Sequence, residues 1–274
     1  MVDIVAIHGI SQHRSSRTAM HDAWRTAAVE GLRNIRSRHA DSLTLECAFY
    51  GHQYNDGKLL GELHYGAVDL HCGFESELAF AIAEALNDDG DASAQDPKLY
   101  LPGSLQRVLA AIQASNLFEG LDTLLISYVK QVRRYLEDPV FQSMVAAEVE
   151  QAMSQSPRLV VGHSLGSVIA YDWLQRNSVK NPPALLTIGS PLGLASIRRR
   201  LRPPLVEPRW PGNVRSWTNI AAEHDAVAMV KELGPTCHPA IDDQPCTNPR
   251  RGAHSALNYL TNVQTARAIH QALE

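Results

Sequence analysis

Several things are missing from this 274-residue sequence, and each absence removes a class of function. No stretch approaches the roughly 18 consecutive apolar residues of a membrane-spanning helix. No basic n-region, apolar segment and cleavage site open the chain, which enters a strand-like run at Val2, so a cytoplasmic protein is expected. The four cysteines, Cys47, Cys72, Cys237 and Cys246, form no C-x-x-C pair, which removes zinc-ribbon and thioredoxin-like readings. Cys237 and Cys246 could close a short loop if oxidised. There is no H-E-x-x-H, and the 12 histidines are scattered, which argues against a metal hydrolase. Basic and aromatic residues do not interleave in a stripe and the formal charge is −4, so no nucleic-acid partner is expected.

What is present suits a globular chain with a sizeable core: 45% of residues are hydrophobic and 20% charged, enough for one large α/β domain over 1–274. The chain is organised around Gly162-His163-Ser164-Leu165-Gly166. A β-type run, Leu159-Val160-Val161, leads in, and a helix-type run over 165–176 leads out. Strand, G-x-S-x-G, helix is the setting of a nucleophile elbow, in which a sharp turn lifts a serine hydroxyl above a sheet. Glycines at 162 and 166 let neighbouring backbone approach without a Cβ clash. The first amides of the following helix then point at whatever sits over Ser164, where the helix dipole favours negative charge. Without context the same pattern is only a tight turn with an idle serine.

Residues 2–7, VDIVAI, read as a strand buried on both faces and run into His8-Gly9-Ile10. Acyl transfer needs a second amide, besides the one after the nucleophile, to bind the oxyanion. Gly9 permits the turn that exposes the next amide, so the Ile10 and Leu165 N–H groups form the expected oxyanion pair. His8 is read as shaping that loop.

A serine hydroxyl also needs a base, and the imidazole that serves needs a buried carboxylate to hold its tautomer. In a fold of this kind the chain order is nucleophile, acid, histidine. Of His224, His238, His254 and His270, His254 stands in a loop just before the last helix and is the expected base. Asp225 follows the strand at 215–220 and is the expected acid; Glu223 is its nearest rival, while Asp242 and Asp243 read as turn residues.

Helical spacing of Met20, Trp24, Ala27, Ala28, Gly31, Leu32 and Ile35 follows the first strand, with Thr18 as N-cap. Residues 43–50 read as the next strand, making a βαβ unit. From 57 to 138 strand signals vanish. Three helical patterns appear instead: Leu78, Ile82, Leu86; then Leu105, Val108, Leu109, Ile112; then Leu121, Leu125, Tyr128, Val132, Leu136. An acidic, turn-rich stretch separates the first two and is expected to be mobile. This region reads as a helical insertion that caps the site as a lid, or else as helices packed at the sheet's edge. After Pro139, the residues Val140, Met144, Val149 and Met153 make one helical face. Residues 184–188 form another buried-type strand, and Leu257, Leu260, Val263 and Ile269 mark a closing helix. The run RRRLRPP at 198–204 reads as a solvated helix end, with contact to an anionic lipid surface or a phosphate-bearing substrate as the functional alternative.

Together, Ile7-His8-Gly9-Ile10, Gly162-His163-Ser164-Leu165-Gly166-Ser167, Gly189-Ser190-Pro191-Leu192, His224-Asp225-Ala226-Val227-Ala228 and Ala253-His254-Ser255 resemble the lipase/esterase-type serine hydrolases of the α/β-hydrolase superfamily. GHSLGS is similar to lipases and to inositol-deacylase-like hydrolases. The resemblance covers about the first fifty residues and everything from Pro139 onward, but not the insertion. It departs at Ala226, where the family often has proline. It implies an α/β-hydrolase fold: a mainly parallel sheet of about six strands wrapped by helices, lacking the family's first two antiparallel strands. It also implies an acyl-enzyme on Ser164, no metal or organic cofactor, and a small-molecule or lipid ester as substrate. An acyltransferase using the same three residues, and a non-catalytic binding module on a hydrolase fold, remain the alternatives.

Overall fold

The structure, a computed structural model, describes residues 2–10, 15–54, 70, 73–87, 121–207 and 209–274. Its central strands are short and largely apolar on both sides because both sides are covered. In β1 (Ile4–Ile7), Val5 and Ile7 enter one hydrophobic core while Ile4 and Ala6 enter another. The same alternation divides Val160 from Leu159 and Val161 in β3 (Leu159–His163), and Leu185 from Ala184, Leu186 and Ile188 in β4 (Ala184–Ile188). A period of two with apolar residues at every position is what a parallel strand between two helix layers requires.

The other strands are β2 (Leu45–Ala48), β5 (Ser216–Ala222) and β6 (Asp242–Cys246). All six lie in one sheet, in the order β2-β1-β3-β4-β5-β6, and all five pairings are parallel. The protein is therefore of the α/β class. Helices α1 (Arg17–Asn34), α7 (Ala256–Thr261) and α8 (Val263–Ala272) supply the core on one face. Helices α2 (Phe74–Asn87), α3 (Leu121–Glu137), α4 (Pro139–Met153), α5 (Leu165–Arg176) and the short α6 (Ala195–Arg198) supply the other. The chain steps from β1 outward to β2, then returns across β1 to β3 and continues outward the other way. The reversal leaves a crevice between the carboxyl ends of β1 and β3, the usual place for a site in an open parallel sheet.

Several local expectations are corrected. Asp242 and Asp243 are in β6, not in a turn. Pro245 and two acids hid this strand, yet β6 pairs only with β5, and an edge strand tolerates proline. Asp243 has a structural reason for its charge: it accepts hydrogen bonds from Asn219 Nδ2 (2.8 Å), Leu233 N (2.8 Å) and Gly234 N (2.7 Å). The N-cap of α1 is Ser16, whose hydroxyl accepts from the Ala19 amide at 3.1 Å, rather than Thr18. The expected closing helix is two helices, interrupted at Asn262, whose side chain caps the second. In α4 the inward face is Phe141, Val145, Val149, Ala152 and Met153, while Val140 and Met144 point outward.

Within 57–138, α2 and α3 occur where two of the three helical patterns were expected. The pattern at 105–112 and the acidic stretch lie outside the described residues. Buried Glu75 of α2 ties the two helices together through Lys130 (2.8 Å) and Arg133 (3.0 Å) of α3. Cys47, Cys237 and Cys246 are separate buried thiols. In the basic run, Arg198 donates to the Gly193 carbonyl (2.6 Å) and Arg200 lies over the Phe74 ring (4.3 Å), so both are turned onto the protein itself. Among the described residues no helix is long and apolar enough to cross a membrane.

Replacing Asp243 by alanine strands two backbone amides and the Asn219 amide, and is expected to cost about 2–3 kcal/mol in urea denaturation. Asp242→Ala, on the exposed side of the same strand, should change stability by less than about 0.5 kcal/mol.

Candidate active site

Ser164 sits between β3 and α5 with φ 55° and ψ −128°. That backbone region costs a non-glycine residue about 1–3 kcal/mol, so surrounding contacts must enforce it. They do so through close approach. A Cβ on Gly166 would lie 2.0 Å from the Ile7 carbonyl oxygen and 2.5 Å from that of His8. One on Gly162 would lie 2.6 Å from Ser167 Cα, and one on Gly9 would lie 2.6 Å from Ser164 Cβ. The start of α5 is thus pressed onto the end of β1, and the loop after β1 is pressed onto the serine. The Ser164 amide donates to the Ile188 carbonyl at 3.1 Å. The Ser167 hydroxyl lies 2.6 Å from both the Ser164 carbonyl oxygen and the Ser190 hydroxyl, fixing the turn from below.

Three residues far apart in sequence meet here. His254 Nε2 is 2.9 Å from Ser164 Oγ, and His254 Nδ1 is 2.8 Å from Asp225 Oδ2. Asp225 is buried at the turn after β5. Its Oδ1 accepts from the Val227 amide at 2.9 Å, and its Oδ2 also accepts from the Tyr259 hydroxyl at 2.7 Å. Burial alone would raise the Asp225 pKa, but the adjoining His254 and these hydrogen bonds outweigh it and hold the carboxyl well below the usual carboxylate range. An ionised Asp225 keeps the proton on His254 Nδ1, which leaves the Nε2 lone pair facing the serine hydroxyl.

The two other histidines of the site are buried and differently placed. His163 donates from Nε2 to the His254 carbonyl oxygen at 2.8 Å, and the two rings lie 4.7 Å apart. Burial, then repulsion from His254, lowers its pKa to about 3. His8 stacks on Tyr50 at 3.9 Å, accepts from the Tyr50 amide through Nε2, and donates from Nδ1 to the Gly9 carbonyl. Its pKa is lowered to about 4, chiefly by burial. His8 therefore braces the loop that carries Gly9 and Ile10. Among the described residues, neither the Ile10 nor the Leu165 amide is committed to a hydrogen-bond partner, and both flank Ser164. The amino end of α5, which begins directly after Ser164, suits a developing negative charge.

The rival residues lie elsewhere. Glu223 is largely exposed beside His224, His238 packs against Trp210, and His270 bonds Ser37. His39, His270 and Glu274 are the one His/Cys/Asp/Glu cluster among the described residues whose ligand atoms lie within 4.8 Å of one another. Arg38 already pairs with Glu274 there. The neighbouring residues Ala272 and Leu273 accept from Arg215 and Arg158, ahead of β5 and β3, so the cluster lies at the opposite end of the sheet from Ser164. A surface cavity lined by Trp210, Arg215, Trp217 and Gln271 opens at that same remote end and touches none of the three site residues.

Sequence reasoning missed the supports. Tyr259 accepts from the Ala222 amide at 2.8 Å while donating to Asp225. Lys231 donates to the carbonyls of Ala222 (2.8 Å) and Asp225 (2.7 Å), closing the turn that presents the acid. Neither residue stands in a motif, and no local spacing marks them.

His8 and His163 make stability fall with acid. Both take protons in the unfolded chain as pH drops through about 6.5, but in the folded chain only near their lowered values. Between those limits the unfolded state binds more protons, so stability falls as pH falls, by about 1.4 kcal/mol per unit for each histidine. Urea denaturation from pH 6.5 to 4.5 should show this slope, and His163→Gln should reduce it; an unchanged slope would contradict the assignment. No family model matches the chain, and neither does any curated protein or solved structure.

Proposed function

We propose that this chain is a serine hydrolase of the α/β-hydrolase type that cleaves carboxylic esters, lipid esters among them, through an acyl-enzyme on Ser164. The observation that carries the reading is the unbroken hydrogen-bonded line from Asp225 through His254 to the Ser164 hydroxyl, at 2.8 Å and 2.9 Å. Its supports are the strained serine between a central strand and a helix, two uncommitted amides beside it, and the position of the group at the crevice between β1 and β3. In the same reading α2 and α3, the described helices of the 57–138 insertion, belong to a cap over the site.

The steps follow from these contacts. The Ser164 proton passes to His254 Nε2 as Oγ bonds the ester carbonyl carbon, and the carbonyl π pair moves onto oxygen. That oxygen rests on the Ile10 and Leu165 amides. Asp225 stabilises the imidazolium without taking its proton. The imidazolium then protonates the departing alkoxide as the C–O bond breaks, leaving an acyl group on Ser164. Water, giving its proton to His254, attacks that acyl group, and the returning proton frees the serine.

Turnover of p-nitrophenyl esters of increasing chain length tests the proposal. Ser164→Ala is expected to lower kcat by about 10⁶-fold and Asp225→Asn by about 10⁴-fold, with unchanged melting of Ser164→Ala. A loss of only a few-fold from a folded Ser164→Ala protein would sink the assignment.

A further inference from the structure

Tyr128, on α3, is 4% exposed, and its hydroxyl has no hydrogen-bond partner among the described residues. A buried hydroxyl left unpaired costs about 1–3 kcal/mol, so its retention requires an explanation. Of the other phenols in this core, Tyr50 donates to the His8 carbonyl and Tyr135 to Asp172 Oδ2 (2.7 Å), while Tyr54 is likewise unpaired and lies against Phe141. Tyr128 differs in what it faces. Burial raises its pKa, and the largest opposing influence is the hydroxyl of Ser164, with the charge of Asp225 felt beyond it. The phenol is thus turned toward the serine at interaction range without completing a hydrogen bond, and burial keeps it a protonated donor.

The helix that carries it is firmly held. Ile126, Val129 and Val132 are fully buried around it. Further along the helix, Lys130 and Arg133 are pinned by Glu75, and Tyr135 by Asp172 of α5, the helix that follows Ser164. The unpaired donor therefore sits on a rigid element referenced to the nucleophile's own helix, which is how a preorganised group is built.

We infer that Tyr128 is a substrate-contacting residue: its hydroxyl donates the third hydrogen bond to the oxyanion, beside the amides of Ile10 and Leu165. The inference rests on the serine-hydrolase reading. No proton is transferred; the phenol gains a partner only when the carbonyl oxygen over Ser164 becomes charged. Its desolvation is thus suffered in the resting protein and relieved in the transition state, which favours kcat over ground-state binding.

Tyr128→Phe keeps the ring and removes the donor. On p-nitrophenyl esters it is expected to lower kcat on the order of 10²-fold with little change in KM. The Ki of a trifluoromethyl ketone, whose adduct carries the same oxyanion, should rise by a similar factor. Melting temperature should hold or rise, because the lost hydroxyl was unpaired; a structural role would lower it. Equal losses across good and poor leaving groups support contact with the oxyanion. A loss that grows with poorer leaving groups would place the phenol on the departing oxygen and overturn the inference, as would a kcat within two-fold of the parent. Ser164→Ala run alongside separates the failures. Turnover that persists without Ser164 overturns both readings, whereas Ser164-dependent turnover indifferent to Tyr128→Phe overturns only this one.

Discussion

Everything at the candidate site depends on how closely helix α5 approaches strand β1. With only hydrogen at Gly166 Cα, the helix comes down onto the Ile7 and His8 carbonyls, where any Cβ would overlap backbone oxygen. That contact forces the strand-to-helix turn to be abrupt and puts Ser164 at positive φ. The strain is local, and it is held by the parallel pairing of β3 with β1 and β4 on either side. Gly9 completes the arrangement from the other direction, since its bare Cα is what admits the loop after β1 to the serine. Sheet topology, glycine sterics and the exposure of two backbone amides are thus one constraint seen at three scales.

Electrostatics sharpens what the sterics assemble. The site holds three histidines and a buried carboxylate, yet burial keeps His8 and His163 neutral while Asp225 is held ionised. The one negative charge is matched to the one histidine that also touches the serine. A proton arriving on His254 Nε2 therefore meets a carboxylate on its far side and no competing cation from the other two rings. Tyr259 and Lys231 brace the acid's turn without altering this balance, the first through the carboxylate, the second through backbone carbonyls.

The part of this legible in the sequence was the part written in local patterns. The elbow could be read because strand, glycine spacing and helix are contiguous, and the apolar runs of β1, β3 and β4 could be read because both faces of a parallel strand are covered. Asp225 and His254 could be named only through chain order, since nothing near either residue distinguishes it from other acids and histidines. Features settled by tertiary packing were lost. Strand β6 exists because β5 offers it an edge, despite Pro245. The first turns of the inward face of α4 were misplaced, because Phe141 and Val145, not Val140 and Met144, meet the core, whereas Val149 and Met153 do face it. Tyr128 read only as one position of a helical stripe, and its unpaired hydroxyl is a property of the folded molecule alone.

The central claim is that Ser164 is an activated nucleophile, and labelling with a fluorophosphonate tests it most directly, because the reagent requires an assembled base and oxyanion site rather than a particular substrate. The expected result is a single adduct, mapped by mass spectrometry to Ser164 and abolished by His254→Ala. A well-folded protein that stays unlabelled, with and without detergent or lipid, or one labelled at another residue, would contradict it.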